Sequence, residues 1–166
     1  MIGNERFTFQ GKSTNMSVFD LWQALFSDLY EIRAKVAEYL VIRALGIGQP
    51  TNTGYWSAQY IEYKGNRIEL RQVCISSADK GNQIRHVDVR SREGDLYVIS
   101  VHDGTKDCLL DLDKWRFYVI PVWYIDSECG SRKTITLTKI RRLVKESSVN
   151  EIKEAVDKLL DESSRG

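Results

Sequence analysis

The sequence predicts a mixed α/β domain built on a central sheet, and three observations carry that expectation. Two helical stretches come first, a run of strand-like segments follows, and an amphipathic helix closes the chain. That order belongs to α+β or α/β/α architectures with a mostly mixed sheet. A hairpin is legible between Tyr60 and Val73, because Lys64-Gly65-Asn66 interrupts two strand-like runs. Leu96-Tyr97-Val98-Ile99-Ser100-Val101 is nearly continuous in apolar residues, the mark of a buried central strand. At 166 residues the chain fits one domain with a sizeable core.

Taken in order, residues 1–16 are polar and read as a flexible N-terminal arm, with a short strand at Arg6-Phe7-Thr8-Phe9. The domain itself is expected over 17–162, and 163–166 as a disordered tail. Ser17 has the chemistry of a helix N-cap, with Asp20 in the capping-box position. Val18, Phe19, Leu21, Trp22, Leu25 and Phe26 then recur at helical spacing. Ser27-Asp28 caps a second helix, with Leu29, Ile32, Val36, Leu40 and Leu45 on its apolar face and Gly46 and Gly48 ending it. Glu38 falls deep in this helix, as either a charge on the solvated face or a group held among apolar neighbours.

After the hairpin, Ile84 to Arg90 alternates as a strand, and Arg92-Glu93-Gly94-Asp95 turns the chain. Trp115 to Ile120 is another strand, ended by Pro121. Val122 to Ile125 is a helical turn or an extension of that strand, and Asp126 to Lys133 reads as loop. Thr134-Ile135-Thr136-Leu137 is short and β-prone. Ser148 caps a last helix from Val149 to Leu160, with Glu151 at the third position. Ile152, Val156, Leu159 and Leu160 form its apolar stripe.

Composition excludes several classes. The net charge is +1, which advertises no nucleic-acid binding, although a local basic patch fits within such a balance. No apolar run is long enough to span a membrane, and residues 1–10 lack the apolar segment of a secretory signal. Cys74, Cys108 and Cys129 are an odd, widely spaced set, as expected of reduced thiols in a cytoplasmic protein. With His86 and His102 as the two histidines, a zinc site is not expected.

On the second strand of the hairpin, Arg67, Glu69, Arg71 and Val73 share one face, and Ile68, Leu70 and Gln72 take the other. A carboxylate and a guanidinium two residues apart on a largely apolar strand are either a structural ion pair or the remnant of a catalytic site. A helix with an internal Glu38, then a hairpin whose second strand reads Ile68-Glu69-Leu70-Arg71-Gln72, resembles the PD-(D/E)XK nuclease-like superfamily. The likeness extends to a bacterial branch of small restriction-endonuclease-like proteins. Ser17 to Leu29, Ala37-Glu38-Tyr39-Leu40-Val41, Trp56, Gly65 to Gln72, Asp111 to Pro121 and Lys133 to Leu137 carry it. The resemblance implies a three-layer α/β/α sandwich with a central mixed sheet of four or five strands. It implies DNA as substrate and Mg²⁺ as cofactor, held by an Asp and by the Glu of a Glu-x-Lys motif. Such a metal polarises the phosphate and lowers the pKa of the attacking water.

Glu38 and Glu69 match that pattern, but two positions depart from it. Tyr60 stands where the family carries its hairpin Asp, and Arg71 stands where it carries Lys. Tyr is no hard-metal ligand near neutral pH. Arg keeps the charge but cannot act as a base. Glu62, on the same strand face as Tyr60, is a candidate migrated carboxylate, and Lys64 or Lys80 a candidate migrated amine. The leading expectation is a catalytically degenerate protein with Glu38, Glu69 and Arg71 as a vestigial site. It acts by binding DNA or a protein partner, a second copy of itself included. The alternative is an active Mg²⁺-dependent DNA endonuclease using Glu38, Glu62 and Glu69 as metal ligands. A second alternative is a protein-binding module of a mobile-element or defence system.

Other groups are weaker candidates. His86 and His102 each stand alone in sequence and read as satisfied histidines. Cys74 reads as a buried, inert thiol. Trp22, Trp56 and Trp115 read as core residues. Arg132, Lys133, Lys139, Arg141, Arg142 and Lys145 are the one basic concentration, either a solvated face or a phosphate-binding one.

Overall fold

The structure is a computed structural model that describes residues 5–17, 33–48, 60–75, 84–104 and 108–163. The chain divides into two compact units, Met1–Arg33 and Ala34–Gly166. In the first, β1 (Arg6–Phe9) pairs antiparallel with β2 (Lys12–Ser17). Gln10 and Gly11 make the turn, both at positive φ. Ser17 closes β2, and the helix expected after it, with Trp22 and the Ser27-Asp28 cap, lies outside the described residues.

The second unit is mixed α/β, with a four-stranded mixed sheet and, among the described residues, four α-helices. Helix α1 is Arg33–Leu45. It ends as its sequence demands: Gly46 takes φ +70°, Gly46 N–H donates to Arg43 O, and Ile47 N–H reaches back to Ile42 O. Strands β3 (Tyr60–Tyr63) and β4 (Asn66–Ile75) form the expected hairpin. The positive φ values of the turn fall on Lys64 and Gly65. A two-residue turn matches strand twist best with both central residues left-handed. Asn66 instead opens β4 and donates its side-chain amide to Lys64 O at 3.0 Å.

Strand β5 is His86–Asp88, β6 is Leu96–Asp103 and β7 is Trp115–Pro121. The sheet order is β3-β4-β6-β7, with β4 parallel to β6 and the other neighbours antiparallel. β6 is buried from Leu96 to His102, as its apolar run predicts. The segment Ile84 to Arg90 contributes only the short β5, which leaves the main sheet and pairs with β8 (Thr134–Thr136).

Val122 to Cys129 forms helix α2, so Asp126 to Cys129 is helical rather than loop. Pro121 closes β7 and occupies the N-cap of α2, a place where its missing N–H costs nothing. Thr136 caps α3 (Leu137–Leu143) by accepting from Lys139 N–H. Ser148 donates from both its N–H and its hydroxyl to Glu151 Oε2, opening a 3₁₀ turn that continues into α4 (Ile152–Ser163). Ile152, Val156 and Leu160 are the buried stripe of α4.

One sheet face carries Val73, Tyr97, Ile99 and Ile120 into a core with Val87 and Ile135 of the ribbon, Ile125 of α2 and Ile140 of α3. On the other face, Tyr63 at the end of β3 donates to Asp157 of α4 at 2.9 Å. Lys153 donates to both Tyr63 and Asp157, and Lys64 to Asp157. This cluster ties the hairpin turn to α4.

Hydrogen bonds from Lys153 and then Lys64 hold the Asp157 carboxyl at about 2, below its ordinary 3.8. A carboxyl lowered on folding adds stability above its unfolded value, and that stability goes as pH falls through the folded one. Asp157→Asn is therefore expected to lower the melting temperature slightly near neutral pH, the pairs being solvent-screened. The deficit shrinks below pH 3.8 and vanishes near pH 2 in thermal melts across that range.

Candidate functional site

Glu69 sits in the middle of β4, flanked in register by Tyr60 of β3 and Tyr97 of β6. Its residue exposure is 0%. A carboxylate this deep must be paired and hydrogen-bonded, because removing a charge from water costs several kcal/mol. The strand supplies the pairing. Side chains two apart share a face, so Arg67 and Arg71 flank Glu69 from both sides. Arg67 Nε donates to Glu69 Oε1 at 3.1 Å, and Arg71 Nη2 donates to Oε2 at 3.3 Å. Ser91 Oγ adds a contact to Oε1 at 3.2 Å.

Each guanidinium is held in turn. Arg71 donates from Nε to Asp88 O at 2.9 Å and from Nη1 to Leu70 O at 2.6 Å. Its charge lies 5.5 Å from the centre of the Tyr97 ring. Arg67 pairs with Glu93 at 3.0 Å and lies 3.8 Å over the Tyr60 ring. Tyr60 therefore does what a metal-binding Asp would not: it covers one of the cations that hold Glu69. Burial pushes the Tyr97 phenol up to about 12, and its hydroxyl donates to Ser91 O.

The loop before β6 closes over this network. Asp95 accepts from Arg67 N–H at 2.8 Å, and Asp95 N–H donates to Arg67 O at 2.7 Å. Gly94 packs directly on the carboxylate. A Cβ there would stand 2.8 Å from Glu69 Cγ and 2.9 Å from Arg67 O. Arg67, Ser91 and Gly94 join Glu69 and Arg71 in this site; the sequence offered Glu38, Glu69 and Arg71, with Arg67 on the same strand face as the last two. The Arg67 signal was the same two-residue spacing read in the other direction.

Glu38 is buried on α1, 5% exposed, and receives Lys35 Nζ at 3.1 Å. It lines one cleft of about 480 Å³ together with Arg71, Gln72, Asp88, Arg90 and Ser91. Gln72 Nε2 is buried there without a hydrogen-bond partner. Glu62 is exposed near the turn and pairs in register with Arg67, not with Glu69. Lys64 is committed to Asp157, and Lys80 lies outside the described residues.

The donor set does not fit Mg²⁺. Both Glu69 oxygens already accept from cations, and among the described residues no three His, Cys, Asp or Glu gather where they could hold a metal ion. Arg71 would compete for any ligand oxygen of Glu69, since a planar fork matches a carboxylate.

The remaining candidates separate. His86 is exposed on β5, and Trp115 is fully buried. Trp56 lies outside the described residues. His102 is not alone: it is fully buried on β6, with Cys74 and Cys108 beside it. Cys74 is half-buried rather than sealed in the core. Lys139 is neutralised by Glu128 at 3.1 Å, and Arg141 donates to Tyr118 OH at 3.3 Å. Arg132, Lys133, Arg141, Arg142 and Lys145 are exposed. No helix among the described residues is long and apolar enough to cross a membrane.

Glu69→Gln leaves two guanidinium groups facing a neutral amide and is expected to cost about 3 kcal/mol in urea unfolding. Gly94→Ala forces the Cβ into Glu69 and Arg67 O and is expected to cost about 1–3 kcal/mol in the same measurement. No family model matches the chain, and no curated protein matches it.

Proposed function

We propose that this chain is a PD-(D/E)XK nuclease-like domain of three-layer α/β/α form whose metal site has become a structural ion-pair network. It acts by binding, not by cleaving. The observation that carries the reading is the buried Glu69 carboxylate with Arg67 and Arg71 on its two oxygens. A nuclease needs that carboxylate open to a cation. Here its two oxygens are taken by two guanidinium groups, and its chemistry is structural.

The three-layer form is supported by what covers the sheet. Helices α2 and α3 and the β5–β8 ribbon share a core with one face. Tyr63, on the opposite face, is anchored to α4.

DNA is the favoured partner. Arg132, Lys133, Arg141, Arg142 and Lys145 are exposed, and such side chains bind phosphate backbone without reading sequence. Duplex and single-stranded DNA offered with Mg²⁺ or Mn²⁺ are expected to remain uncut. Their binding is expected to weaken steeply between about 50 and 200 mM salt and to fall in an Arg141→Ala/Arg142→Ala variant. Cleavage that disappears in Glu69→Ala would establish the active endonuclease instead. Intact DNA with no salt-dependent binding would leave a protein-binding module.

A further inference from the structure

Strands β4 and β6 run parallel, which places Cys74 and His102 side by side in register. Cys74 lies on the face of β4 opposite Glu69 and Arg71, so it has no part in the ion-pair network. The His102 ring is fully buried and packs on Trp115, with ring centroids 4.9 Å apart. Its Nε2 is 3.2 Å from the backbone carbonyl oxygen of Cys108. A carbonyl only accepts, so Nε2 carries the ring proton and Nδ1 keeps a lone pair. Nδ1 faces Cys74 Sγ at 4.0 Å. A thiol, a base and a group that orients the base thus stand in line, the arrangement of an activated nucleophile.

We propose that Cys74 is a nucleophilic thiol, with His102 as its base, that reduces small hydroperoxides. Cys74 is half-buried beside the fully buried His102 ring. An imidazole that can take a proton from sulfur and return it suits an electrophile whose leaving oxygen needs one. As sulfur bonds to the terminal peroxide oxygen, its proton passes to Nδ1. The O–O bond breaks, and the departing oxygen takes the proton from Nδ1. The products are a sulfenic acid on Cys74 and water or an alcohol. Sulfur loses two electrons and the peroxide gains them.

The chain carries its own comparison thiols. Cys108 is also half-buried but meets the imidazole through its backbone carbonyl, and Cys129 is buried in the core. Hydrogen peroxide added to the unaltered 166-residue chain, with dimedone trapping and mass spectrometry, reads sulfenic acid at each cysteine. Cys74 is expected to be trapped at least about tenfold faster than Cys108. His102→Gln is expected to slow Cys74 about tenfold or more and to leave Cys108 unchanged. Equal trapping of Cys74 and Cys108 in the unaltered protein would overturn the proposal. So would an undiminished Cys74 rate in a folded His102→Gln variant. Should that variant not fold, the two rates in the unaltered protein decide the matter.

Discussion

The second unit depends on one buried charge. Glu69 occupies the centre of the sheet, where an unpaired carboxylate would be too costly to keep. Its neighbours in sequence solve this because a strand repeats every two residues. Arg67 and Arg71 reach its two oxygens along the same face. Each guanidinium then needs acceptors of its own, from the adjacent peptide and from elsewhere in the chain. Asp88 O, Leu70 O and Glu93 supply them. One carboxylate thereby fixes the strand, the loop before β6 and the approach of β5.

That constraint also sets what the site can do. A metal ion needs lone pairs that point into an open space, and those of Glu69 point at guanidinium groups. Tyr60 and Arg71 belong to the same logic. Tyr60 shields Arg67, and Arg71 spreads its donors over acceptors that include Glu69, Asp88 O and Leu70 O. A Lys at 71 could satisfy charge but not that fork. The cleft beside Arg71 and Glu38 persists, with the Gln72 amide donor unfilled on its wall.

Local chemistry made much of this legible in the sequence. The hairpin, the end of α1, the buried run of β6 and the Ser148–Glu151 cap all follow from residues within a few positions of one another. Helix α2 was legible only as one alternative for Val122 to Ile125, a helical turn, because Trp123, Tyr124 and Ile125 favour strands and Pro121 reads as a stop. The other misses depend on partners remote in sequence. The departure of β5 from the main sheet depends on a partner, β8, that is remote in sequence. Ser91 lies 22 residues from Glu69, and nothing local marks it as a ligand. His102 looked solitary because Cys74 meets it only across the parallel pairing of β4 and β6.

Calorimetric titration of Mg²⁺ and Mn²⁺ into the unaltered chain and into Glu69→Ala asks whether the Glu69 carboxylate is open to a metal ion. If Glu69 is committed to Arg67 and Arg71, neither ion gives a binding heat with the unaltered chain. Saturable binding that is lost in Glu69→Ala would mean that the carboxylate still serves a metal, and that the ion-pair account of this site is wrong.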